Sequence, residues 1–88
     1  AQSGDIFDPE RVLNAEEQLQ LVIKTLSTMP ERRQRIFVLN RIDGLTPKQA
    51  GAACGVSRTA AVRHIALATE AIAEALIKHA DANGETDS

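Results

Sequence analysis

The sequence predicts an all-α fold, a four-helix domain with a C-terminal helix-turn-helix. Three observations predict it. Apolar residues recur every three or four positions in four separate stretches. Proline, glycine and capping residues fall between those stretches. No segment alternates apolar and polar residues as a half-buried strand would, and no internal repeat is present.

The chain opens with a small, polar lead-in, and residues 1–8 read as the remnant of a linker. Asp8-Pro9-Glu10 carries a cap, a first-position proline and an acid at the positive end of the dipole, so a first helix is expected over 9–27. Val12, Leu19, Val22, Ile23 and Leu26 give its apolar face. Thr28-Met29-Pro30-Glu31 punctuates the chain and opens a second helix, with Ile36, Phe37, Leu39 and Ile42 expected inward. Arg32, Arg33, Arg35 and Arg41 lie on its polar side, and Asp43-Gly44 ends it. Thr46-Pro47-Lys48-Gln49 is a capping box with proline in the first turn, and Gly55 stops this third helix about two turns later. Val56 is an apolar plug and Ser57 an N-cap. Ala61, Ile65, Ala68, Ile72 and Leu76 mark the buried stripe of a fourth helix expected to end near His79. The domain thus covers 9–80, and 81–88 reads as a disordered acidic tail.

Composition narrows the function. Two phenylalanines are the only aromatics, so the core is thin. A chain of this size buries only about 60% of its unfolded surface and gains from a partner. No run approaches the roughly 20 apolar residues that span a bilayer, and no basic segment precedes an apolar one, which places the protein in the cytoplasm without membrane contact. The single Cys54 excludes an internal disulfide; with only His64 and His79 besides, it makes no zinc site and reads as a small apolar residue. Glu16, Glu17, Glu70 and Glu74 have no nucleophile or metal ligand set around them, so neither an enzyme, a cofactor nor a small-molecule substrate is expected. The net charge of −2 hides a basic middle: residues 30–67 carry +5 between ends of −3 and −4. Such a segment suits a polyanion.

Two helices joined by the glycine turn Cys54-Gly55-Val56-Ser57 make the helix-turn-helix. Its second helix enters a major groove by its N-terminal residues, and Arg58, Thr59, Val62 and Arg63 stand off the apolar stripe there. His64 lies near the same side and can meet a phosphate when protonated.

With the motif in place, the chain resembles region 4 of RNA polymerase sigma factors of the extracytoplasmic-function type. The resemblance rests on Met29-Pro30-Glu31-Arg32-Arg33, Ile36-Phe37-Val38-Leu39, Arg41-Ile42-Asp43-Gly44-Leu45-Thr46 and Gly55-Val56-Ser57. The run 37–45 is most similar to the FecI-like iron-uptake branch. The resemblance implies recognition of the promoter −35 element, with Arg58, Thr59, Ala60, Val62 and Arg63 on the base-facing edge. It places Thr46, Lys48 and Ser57 where they can hold phosphates. It also implies two protein partners, the β flap of the polymerase core and an anti-sigma factor. Apolar residues in excess of what four helices can bury, among them Leu19, Val22, Ile23, Leu26, Phe37 and Val38, are the surface expected to meet them.

The chain departs from the family pattern in three ways. Ala50 and Ala61 replace larger aliphatic residues, and Leu67 stands where a basic residue is common. Ala50, Gly51, Ala52, Ala53 and Ala61 make a small-residue seam, compatible with either close or loose helix packing. Two other readings remain open from the residues: a domain that only binds an anti-sigma factor, and the effector domain of an independent helix-turn-helix regulator.

Overall fold

A computed structural model describes the backbone of residues 13–85 and the side chains of residues 13–79. Four helices follow one another: α1 Ala15–Ser27, α2 Glu31–Arg41, α3 Pro47–Cys54 and α4 Arg58–Glu85. The all-α expectation holds, and no strand occurs among the described residues. The linker expected at 1–8 and the helix start at Asp8-Pro9 lie outside the described residues.

An unbroken first helix over 9–27 is incorrect. Asn14 is extended, with φ −77° and ψ 174°, and closes a capping box with Glu17. The Glu17 N–H donates to Asn14 Oδ1 at 2.8 Å, and the Asn14 N–H donates to Glu17 Oε1 at 3.0 Å. These reciprocal bonds satisfy donors that a continuous helix would have paired internally, and they fix the start of α1 at Ala15. At the other end the Thr28 hydroxyl donates to the Thr25 carbonyl at 2.7 Å. Pro30, with φ −57°, then opens α2.

Ile36 of α2 is fully buried and centres the core with Ala50 of α3 and Ala61 of α4. Leu39, Leu45, Cys54, Val56 and Ile65 pack around these three. Phe37 and Leu39 are half-buried on the expected side, but Ile42 is not inward: it is 72% exposed. The helix ends at Arg41, so Ile42 sits beyond the last turn, and the positive φ of Gly44 (78°) swings the chain round. Leu45 takes the inward place instead, tied back by its N–H to the Leu39 carbonyl at 3.0 Å and by Asn40 Nδ2 donating to its own carbonyl at 2.8 Å.

The helix-turn-helix forms as its sequence signals require. Thr46 and Gln49 make the capping box of α3, Pro47 takes the first turn, and Gly55 ends the helix at φ 77°. Ser57 Oγ accepts the Ala60 N–H at 3.1 Å and caps α4. Along α4, Ala61, Ala68 and Ile72 are buried, with Ile65 and Leu76 half-buried, as the stripe predicts. The helix does not stop near His79. It runs on to Glu85, into the stretch expected to be a tail, because nothing from Ala80 to Asn83 breaks a helix and each added residue gains one backbone bond. Residues 86–88 lie outside the described residues.

α4 is the central element: α1, α2 and α3 all pack on it, α3 also packs on α2, and α1 touches α2 only lightly. The small-residue seam packs closely. A Cβ on Gly51 would stand 2.9 Å from the Val56 carbonyl oxygen, 3.1 Å from that of Ser57 and 3.1 Å from Ala61 Cβ. Backbone atoms of the turn cannot yield as a flexible side chain does. Gly51→Ala should therefore destabilise the domain by about 1–3 kcal/mol despite alanine's better helix propensity. Urea denaturation should show a lower midpoint at unchanged slope; an unchanged or raised midpoint would contradict the close-packed seam.

Candidate nucleic-acid interface

The candidate interface comprises the start of α3, the turn and the first two turns of α4. Contact between Gly51 and Ala61 sets α3 against α4, and the Val56 N–H donates to the Gly51 carbonyl at 2.8 Å, which locks the turn. Ser57 then presents the start of α4, whose Arg58 and Thr59 N–H groups have no carbonyl one turn back within the helix. Arg58, Thr59, Val62 and Arg63 are exposed on one edge, Val62 at 42%. Ala60 is half-buried beside them.

Thr46, Lys48 and Ser57 are exposed, flanking that edge at the two helix starts. Thr46 Oγ1 already accepts the Gln49 N–H at 3.1 Å and Ser57 Oγ the Ala60 N–H at 3.1 Å. Each hydroxyl keeps its own hydrogen to offer to an anion. Arg58, Arg63 and Lys48 make no ion pair among the described residues, so their charges face solvent uncompensated.

His64 is placed differently from its neighbours. It is half-buried, and its Nδ1 accepts from Arg33 Nε at 3.2 Å across 31 positions of sequence. Burial, and then the charges of Arg33, Arg32 and Arg63, hold its pKa below the ordinary 6.5. Near neutral pH it is therefore an uncharged acceptor bound to α2, where the sequence had suggested a cation beside phosphate. Sequence reasoning put Arg32 and Arg33 on the solvent side of α2 and missed this junction. No local spacing signals a contact between helices so far apart in the chain.

The apolar residues expected to meet a partner divide into two sets. Leu19 and Ile23, one turn apart on α1, are 58% and 56% exposed. Val22, Leu26, Phe37 and Val38 are half-buried and share their surface with the domain's own packing. Cys54 is half-buried against the core and lines a shallow cleft with Glu31, Arg32 and Arg35. Among the described residues no cluster of His, Cys, Asp and Glu could hold a metal, and no helix is long and apolar enough to cross a membrane.

A family model described as Sigma-70, region 4 matches residues 19–76, more than half of the chain. The chain belongs to that family. The match spans most of α1, all of α2 and α3, and α4 as far as Leu76, including its exposed edge. No curated protein and no solved structure matches the chain.

The His64 junction makes stability depend on pH. Its folded pKa is lowered, so the unfolded chain takes up the proton first as pH falls. Stability should decline as pH drops below 6.5 towards the folded pKa and lose nothing further below it. Denaturant titrations between pH 7.5 and 5.5 should show this decline, and His64→Gln should remove that part of it. An NMR titration should place the His64 midpoint below 6.5. The midpoint should move up in Arg33→Ala; a fixed one would discount the contact.

Proposed function

We propose that this region 4 domain comes from a sigma factor of the extracytoplasmic-function type and reads the promoter −35 element while attached to RNA polymerase. The exposed edge of α4 supports the reading most directly: Arg58, Thr59, Val62 and Arg63 project together from the N-terminal turns of the second helix of the motif. That is the end that enters a major groove. Arg63 pairs with a guanine through O6 and N7, the bidentate contact its planar fork allows. Arg58 and Thr59 tune the neighbouring positions, and Ala60 and Val62 make apolar contacts with base edges or thymine methyls. Thr46, Lys48 and Ser57 grip phosphates on either side and fix the register. His64, in this reading, meets the backbone beside them. Work of this kind takes place in the cytoplasm, where the polymerase is.

A second interaction complements the first. Leu19 and Ile23 form an open apolar pair on α1, a helix that buries none of its own residues fully. Exposed apolar pairs of this kind suit the apolar anchors of a partner helix. We assign them, with the neighbouring Val22, Leu26, Phe37 and Val38, to the polymerase β flap and to an anti-sigma factor competing for the same place.

Arg63→Ala should cost roughly 1–3 kcal/mol of discrimination between the cognate −35 sequence and a changed one. Lys48→Ala should weaken all duplexes alike and reduce the salt slope by about one. Promoter-swap transcription with the variant in the complete factor tests the first, and unchanged −35 preference would remove Arg63 from base reading. Hydrogen exchange with a flap peptide should add protection over α1 and α2; protection confined to 58–64 would argue against the apolar assignment.

A further inference from the structure

Every DNA contact named above comes from the motif of α3 and α4, yet the end of α2 stands beside both helices. Asn40 and Arg41 of α2, Pro47 of α3, and Val62, Ala66 and Glu70 of α4 line one open groove. Val62 belongs to the reading edge, and Pro47 lies between Thr46 and Lys48 in the chain. A tight return of the backbone sets the position of Arg41. The Ile42 and Asp43 N–H groups donate to the Val38 carbonyl at 2.9 and 3.2 Å, and the Leu45 N–H donates to the Leu39 carbonyl at 3.0 Å. Asn40 Nδ2 donates to the Leu45 carbonyl at 2.8 Å. These bonds hold the end of α2 against the start of α3.

A basic residue in the last turn of a helix commonly serves the helix itself, at the negative end of its dipole. Little of that role is left for Arg41, because backbone N–H groups already meet the Val38 and Leu39 carbonyls. Its side chain is exposed and makes no ion pair or hydrogen bond among the described residues. Two acids lie in the neighbourhood, and neither pairs with it. Asp43, in the turn that follows, is exposed. Glu70 lines the same groove but sits about 12 Å along α4 from Val62, where it also borders the cleft of Arg33. We propose that Arg41 holds a backbone phosphate of duplex DNA, on the strand that the start of α3 crosses. In a motif of this kind the second helix enters the major groove and the first lies across the backbone. A strand that reaches Thr46 and Lys48 therefore runs past Pro47 to the groove where Arg41 waits uncompensated. Its planar fork suits two oxygens of one phosphate. The contact rests on the DNA-binding reading above and adds α2 to it.

The test is the binding of the chain to a −35 duplex and to a scrambled duplex across a salt series. Arg41→Gln should weaken both duplexes several-fold and reduce the slope of log affinity against log salt by about one. Arg41→Lys should restore the slope, and Lys78→Gln, which removes the same charge far along α4, should leave it unchanged. Neutral methylphosphonates placed one at a time along each strand then locate the contact. One position should weaken the wild-type chain and leave Arg41→Gln unaffected. It should lie on the same strand as the position to which Lys48→Gln becomes indifferent. The urea midpoint of Arg41→Gln should stay near that of the wild type, because backbone bonds already end α2. A lowered midpoint with an unmoved slope would return Arg41 to the helix dipole and overturn the contact. The absence of any phosphate position that separates the two chains would overturn it too. So would no binding of either duplex at low salt, or unchanged duplex binding with weaker binding to a flap peptide. Preference for the −35 duplex with an unmoved slope sinks the Arg41 contact alone. Equal binding of both duplexes with a responsive slope sinks only the −35 reading.

Discussion

Gly51 lets the backbone of α3 rest on the turn and on Ala61, with room for no Cβ between them. The other features of the interface depend on that approach. It fixes the position of α4 relative to α3, and hence which residues of α4 point away from the core. It draws Ala50 and Ala61 into contact with Ile36, so that three small or medium side chains fill the centre of the domain without an aromatic residue. Larger side chains at 50 or 61 would push the helices apart and need a wider core. The substitutions that look like losses of burial are thus matched by a shorter distance between helices, which is how a close-packed interior is kept with little side-chain volume.

The same geometry concentrates positive charge. With α4 seated on α3 and α2, the first turn of α2 meets the second turn of α4 through the Arg33–His64 bond, and the charges of Arg33, Arg32 and Arg63 add to burial in holding the imidazole's pKa down. Charges arranged this way work against a small domain that has few apolar residues to offset them. The cost makes sense in a protein whose ligand is itself a polyanion. A neutral His64 limits that repulsion. The outer helix α1 buries none of its own residues fully and leaves Leu19 and Ile23 open to solvent.

Most of the local structure was legible in the chain. Thr46 with Gln49, Pro47, Gly55 and Ser57 marked the ends of α3 and the start of α4 because caps act within a few residues and need no tertiary contact. The periodicity of Ala61, Ala68 and Ile72 gave the buried stripe of α4 for the same reason. Arg58, Thr59, Val62 and Arg63 followed as the residues left outside it. The boundaries that failed were competitions between local signals. Asn14 with Glu17 set a new helix start at Ala15 inside the span expected to be continuous, and alanine-rich sequence carried α4 past His79.

What only the tertiary structure decided lies in contacts between residues far apart in the chain. The exposure of Ile42 depended on where Gly44 turned the backbone and let Leu45 in. The small-residue seam allowed close or loose packing, and the choice fell to Gly51 meeting the turn. The state of His64 depended on Arg33, which no periodicity could connect to it. Caps and stripes are set by neighbours within one or two turns, so the sequence alone determined the helices and the exposed edge. The approach of α2 to α4 is set by how their surfaces fit, and so the charge environment of that edge belongs to the fold.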